Sequence, residues 1–220
     1  MGAATDSDPS VRSGLRWLAR KRVTLGVVAL LVVVFGFELV VLETYGSRTW
    51  QYVFLASADP SPGWVLSSFA HRSVEHLLTT AFVVLVYGSL LEARLRPAAY
   101  VLFYVAAGYA STAAQLGVYV GDAPGLGTLG ASGAALGLVT LFSTTTAAGH
   151  LRGVGDLSTV EVLFAGTGVV VVALLLTNDF LPGVQFASGT APYGHLGGML
   201  AGGSYGLARV RAQHRRGRRS

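Results

Sequence analysis

The chain has 220 residues, of which 12% are charged and 52% hydrophobic, with a mean hydropathy of +0.55. Soluble domains carry roughly a quarter charged residues, and too little lies outside the apolar runs to build one, so a soluble enzyme or binding module is excluded. The absence of cysteine excludes disulfides, thiolate catalysis and cysteine-ligated metal, and the formal net charge of +5 is gathered into arginine clusters.

Residues 1–22 read as a basic N-terminal segment, whose start, MGAATDSDPS, has the composition of a disordered stretch. Six apolar runs follow, each able to cross or nearly cross a bilayer, which needs ~20 residues. They are Val23–Leu42, Val74–Leu91, Ala98–Val120, Gly127–Ala148, Leu157–Thr177 and Pro192–Ala208. The second and sixth are short and interrupted, by His76 and by glycines. The first run has a basic flank, but its apolar part exceeds the ~7–15 residues of a signal core and no A-x-A-like site follows. Residues 23–208 therefore form one all-α membrane domain of six transmembrane helices, followed by an arginine-rich tail at 209–220.

Arginine placement sets the expected orientation. Arg12, Arg16, Arg20, Lys21 and Arg22 precede the first run, and Arg209, Arg211, Arg215, Arg216, Arg218 and Arg219 follow the sixth. The even connections hold Arg94, Arg96 and Arg152, the odd ones only Arg48 and Arg72. The positive-inside rule puts both termini in the cytoplasm. Beside a membrane span, a tail such as RVRAQHRRGRR points to anionic lipid rather than to nucleic acid.

With both ends inside, the second, fourth and sixth runs start at the outer face, and the unusual polar residues stand in their first turns. His71 and His76 head the second, Ser132 is five residues into the fourth and His195 three into the sixth. At ~1.5 Å per residue, Ser132 and His195 reach one depth. Glycine spacing then decides whether they meet. Gly194, Gly198, Gly202 and Gly206 form a four-residue stripe, and Gly130, Gly133, Ala134 and Gly137 form small rows on the fourth run. Such faces let membrane helices approach closely. Taken singly, the serine reads as bonded to its own helix and the glycines as packing. A membrane histidine marks a site by default, with a structural interhelical bond as its equal alternative, and the coincidence of depth favours a site. Asp122 and Asp179 fall in outer connections and Glu38 on the peripheral first helix, so no third acid member is expected.

GASG (Gly130 to Gly133) followed by HLGGMLAG (His195 to Gly202) resembles the rhomboid intramembrane serine proteases, as do HRSVEHLL (His71 to Leu78) and YGSLLEARL (Tyr87 to Leu95) with Gly88 and Glu92. The resemblance runs from about Trp64 to Leu207. It implies the six-helix prokaryotic form and a dyad in which Ser132 is the nucleophile and His195 the general base and acid. The Ser132 N–H and the His76 side chain would hold the oxyanion, with Thr80 standing where the family usually has asparagine. Leu136 replaces an aromatic that relatives stack on the histidine, and Val65 follows Trp64 where arginine is usual. The first connection, Glu43 to Ser73, carries Trp50, Tyr52, Phe54 and Trp64, suited to the membrane interface. The implied substrates are single-pass membrane proteins cleaved near the outer face of the cell membrane, with no cofactor or metal. A non-catalytic rhomboid-like protein that binds transmembrane helices is the alternative, with a small histidine-lined transporter behind it.

Overall fold

The computed structural model describes residues 21–119, 127–153, 157–184 and 191–217. Arg12, Arg16 and Arg20, the connection Gly121–Leu126 with Asp122, and Arg218 and Arg219 lie outside the described residues. Among the described residues, seven helices make up the fold: α1 (Arg22–Phe54), α2 (Gly63–Leu66), α3 (Val74–Glu92), α4 (Pro97–Tyr119), α5 (Ala131–Leu151), α6 (Thr159–Phe180) and α7 (Pro192–Gly217). The described residues contain no strand beyond an isolated bridge between Ala56 and Thr128.

Local chemistry sets the helix boundaries. Pro97 and Pro192 open α4 and α7, where a missing N–H costs nothing. Ser73 caps α3 by accepting from the His76 N–H, and Ser158 and Glu161 form a reciprocal capping box on α6. α1 has no side-chain cap from its own N-terminal residue. Glu92 supplies one from the end of α3: its oxygens accept from the Val23 N–H (3.0 Å), the Thr24 N–H (2.9 Å) and the Thr24 hydroxyl (2.7 Å). A carboxylate at these orphan donors also faces the positive end of the helix dipole.

Several expected boundaries move; the sixth run, expected to end at Ala208, stays helical to Gly217. α1 does not stop at Leu42: it turns at Gly46, whose φ of +79° suits glycine, and continues to Phe54. Much of the expected first connection is therefore helical, with Phe54 fully buried in it. The fourth run, by contrast, starts extended. Thr128 and Ala56 exchange backbone hydrogen bonds, Gly130 N–H donates to Ser67 C=O at 2.8 Å, and helix begins only at Ala131.

Among the described residues five helices, α1 and α3 to α6, are long and apolar enough to cross a bilayer. α7, the sixth expected span, is long enough, but its glycines and arginine-bearing end dilute its apolar content. It compensates by burial. Gly194, Gly198, Met199, Gly202 and Gly206 are packed into the bundle against α4 and α5. Exposed Leu30, Val33 and Phe37 on α1, Phe82 on α3 and Val169 on α6 give the bundle an apolar outer surface. Such a surface is stable in lipid, where no hydrophobic penalty attaches to it. α5 is the central helix, buried along most of its length, with Leu138, Val139, Leu141 and Phe142 in the core.

Candidate active site

Ser132 is the second residue of α5, and its place there follows from the chain before it. The Gly127–Gly130 segment, tied to Ala56 and Ser67, delivers the chain to the mouth of the helix. The first intrahelical bond runs from the Ala134 N–H to the Gly130 C=O. The N–H groups of Ala131, Ser132 and Gly133 thus precede the ladder, and such groups suit an anion. Gly130 cannot carry a side chain here: a Cβ would lie 2.6 Å from Thr112 Oγ1 and 2.9 Å from the Gly108 carbonyl oxygen.

α7 brings the second group. Its N-terminus is held by Gln115 of α4, whose Oε1 accepts from the Gly194 N–H at 2.9 Å. The next residue, His195, is buried and points its Nε2 at Ser132 Oγ, 3.3 Å away. The glycine stripe makes that distance accessible. A Cβ on Gly198 would lie 2.0 Å from the Gly133 carbonyl oxygen, and one on Gly202 would lie 2.2 Å from that of Gly137. The expected face-to-face approach of the fourth and sixth runs is what the backbone does.

The third group corrects the expectation. Asp179 is not in a connection: α6 runs to Phe180, three residues past the apolar run, and carries Asp179 in its last turn. Its Oδ2 lies 2.7 Å from His195 Nδ1, with the aspartate side chain 1% exposed. Asn178 Nδ2 donates to the other oxygen, Oδ1, at 3.0 Å. Hydropathy ends the run where polarity begins, but a helix ends where its hydrogen bonds do. The available signal was an ionisable residue at the same end of the bundle as His195.

The remaining expected residues stand around this line. His76 is half-buried on α3. Its ring packs edge-on against His71, with centroids 5.2 Å apart. Thr80 is buried one turn further along α3; for it the described residues give burial rather than a bond to Ser132. Leu136 is buried in α5. His71, in the connection before α3, donates its backbone N–H to Glu38 Oε1 at 2.8 Å. Burial, reinforced by the charge of His76, pushes the His71 imidazole down to about 3. It stays neutral near pH 7 and serves packing. Glu38, 1% exposed, is spent on that backbone contact and ties α1 to the connection.

The opposite end of the bundle has its own polar cluster. Arg94 binds Glu161 of α6, donates to Thr146 Oγ1 of α5 at 2.9 Å, and lies 4.6 Å over the Phe142 ring. Arg209 of α7 donates to the Arg94 carbonyl at 3.1 Å. Thr146 is about 21 Å along α5 from Ser132 at 1.5 Å per residue, so this cluster fastens helix ends and takes no part in chemistry at the serine. Glu92 belongs to the same end and binds α1 rather than the nearby arginines.

The family model of the rhomboid domain matches residues 61–212. The chain belongs to the rhomboid family. No curated protein matches it. The match covers α3 to α7 and so contains Ser132, His195, His76, Thr80 and Asp179. Rhomboid proteins are membrane proteins, typically intramembrane serine proteases that act on transmembrane substrates within the bilayer, and the family also includes relatives without protease activity.

Proposed function

We propose that this rhomboid is an intramembrane serine endopeptidase that cleaves single-pass membrane proteins in or near their transmembrane segments. The observation that carries the reading is the 3.3 Å contact between Ser132 Oγ and His195 Nε2. A serine hydroxyl is weakly nucleophilic until a base takes its proton. His195 is that base, and it then protonates the leaving amine as general acid. The tetrahedral oxyanion is received by the Ser132 N–H at the start of α5 and by the His76 side chain, with the Thr80 hydroxyl as a weaker donor. A donor so placed is worth ~10²–10³ in rate. The protein sits in the cell membrane with both termini cytoplasmic, and the serine opens to the extracytoplasmic side, from which water enters for deacylation.

The test is a fluorophosphonate probe, which labels only an activated serine. Wild-type protein in detergent should label at Ser132 and cleave a model single-span substrate. Ser132→Ala and His195→Ala should each lose both activities, and the double variant should lose no more, because the pair acts as one unit. Robust proteolysis by purified Ser132→Ala would overturn the assignment and favour a non-catalytic relative with a contaminating protease.

A further inference from the structure

The His195 imidazole is engaged at both nitrogens, Nε2 by Ser132 Oγ and Nδ1 by Asp179 Oδ2. Both side chains are closed off, at 9% exposed for His195 and 1% for Asp179. A carboxylate accepts hydrogen bonds and donates none. Nδ1 therefore carries the proton in the neutral ring, and Nε2 presents its lone pair to the serine hydroxyl. We propose that Asp179 is a positioning residue for the protease reaction: it fixes His195 in the one tautomer able to take the Ser132 proton, and Asn178 holds the carboxylate in place through Oδ1. The inference rests on reading Ser132 and His195 as nucleophile and base, and extends that pair to a third member.

The proton accounting is closed without any further reactant. As Ser132 Oγ bonds to the scissile carbonyl carbon, its proton passes to Nε2, and the ring becomes a cation with N–H at both nitrogens. Asp179 faces the Nδ1–H of that cation and takes no proton itself. Breaking of the C–N bond returns the Nε2 proton to the leaving amine. A water then gives its proton to Nε2 as it attacks the acyl carbon, and that proton goes back to Ser132 Oγ when the ester bond breaks.

Asn178 makes the test decisive. In Asp179→Asn, as long as Asn178 keeps its amide orientation, its N–H needs an oxygen acceptor at the Oδ1 position, and the new amide NH₂ is turned toward His195. Nδ1 must then accept, the ring proton moves to Nε2, and the serine has no base. Asp179→Ala imposes no such constraint and leaves both tautomers accessible. A residue that merely fills space would rank Asn, its isostere, above Ala. Tautomer control ranks Asn below Ala.

The experiment measures kcat and KM on a single-span substrate for wild type, Asp179→Asn and Asp179→Ala, with ¹⁵N-histidine NMR to read the His195 tautomer and melting curves to check folding. Asp179→Asn should lower kcat by ~10²–10⁴-fold, as amide replacement does where it imposes the wrong tautomer in soluble serine proteases, with KM little changed. Asp179→Ala should retain more activity, and the NMR signal should move from Nδ1–H to Nε2–H in the Asn variant. Wild-type rates in Asp179→Asn, or an Asn variant faster than Ala with Nδ1–H retained, would overturn the inference. If Asp179→Ala fails to fold, the Asn rate and its tautomer decide. A silent Asp179→Asn beside a dead Ser132→Ala defeats this inference alone, whereas an active Ser132→Ala defeats the reading beneath it.

Discussion

Gly198→Ala adds one carbon that touches neither the Ser132 nor the His195 side chain, yet it should disable the site. The new Cβ would meet the Gly133 carbonyl oxygen at 2.0 Å, its carbon at 2.6 Å and the Gly133 Cα at 2.9 Å. All three are backbone atoms of α5, so no rotamer change can relieve the clash. Moving from 2.0 Å to the 3.4 Å of ordinary contact requires α5 and α7 to separate by about 1.4 Å. Gly133 adjoins Ser132, and Gly198 lies three residues from His195, so the gap opens at the Ser132–His195 contact. A 3.3 Å hydrogen bond does not survive that displacement. Overpacking of this kind costs ~1–3 kcal/mol, and a 1 Å misplacement of reacting groups costs about 10²-fold in rate. The assay is substrate turnover per folded molecule, with melting temperature measured alongside. Gly166→Ala on α6 is the control, since nothing lies within 4 Å of a Cβ there, and it should leave turnover unchanged. Full activity and unchanged melting in Gly198→Ala would show that the helices do not need this approach to bring serine and histidine together.

Glu92→Gln should lower melting temperature by weakening the charged cap on α1, at a cost of ~1–3 kcal/mol, while turnover per folded molecule stays within about twofold; a rate loss with unchanged melting would contradict the structural role. His76→Ala should slow cleavage ~10²–10³-fold as an oxyanion donor is removed, and Thr80→Val should slow it less; an unaffected Thr80→Val would mean that the oxyanion is held without that hydroxyl. Reporters fused to the two ends should read cytoplasmic and one inserted after Gly121 external, as the arginine distribution requires; an external C-terminus would reverse the side from which Ser132 is reached.

Much of the site was legible because its constraints are steric and periodic. The stripe Gly194, Gly198, Gly202 and Gly206 repeats every four residues, and a carbonyl oxygen or side chain of α5 lies against each of the last three. Depth counting brought Ser132 and His195 to one level, and they hydrogen-bond. Glu92, two residues from Arg94, caps the distant N-terminus of α1, and Arg94 pairs instead with Glu161, so neither partner follows from sequence spacing. Boundaries fared worse because hydropathy reports the solvent a residue prefers, while helix ends are set by hydrogen bonds. Gly46 lets α1 turn and resume, and the Ala56–Thr128 pairing keeps Gly127–Gly130 out of α5 although that segment is apolar.

Asp179 shows the same limit at the point where it touches chemistry. An apolar-run analysis closes the fifth span at Thr177 because Asn178 and Asp179 are polar, and so assigns the carboxylate to water. A buried carboxylate is far less costly when paired and hydrogen-bonded than when left alone, and this one has the imidazole Nδ1 at one oxygen and an amide at the other. The partner lies 16 residues later in sequence, at the start of the next helix. That separation is far beyond any i, i+3 or i, i+4 pairing on one helix, so no helical spacing links the two. The order Ser132, Asp179, His195 matches no spacing rule, and none is needed: such groups are recognised by which atom faces which. What sequence can show is that three helices place polar groups at one end of the bundle. Which nitrogen of His195 carries its proton is a property of the fold alone, and it decides whether the serine beside it has a base.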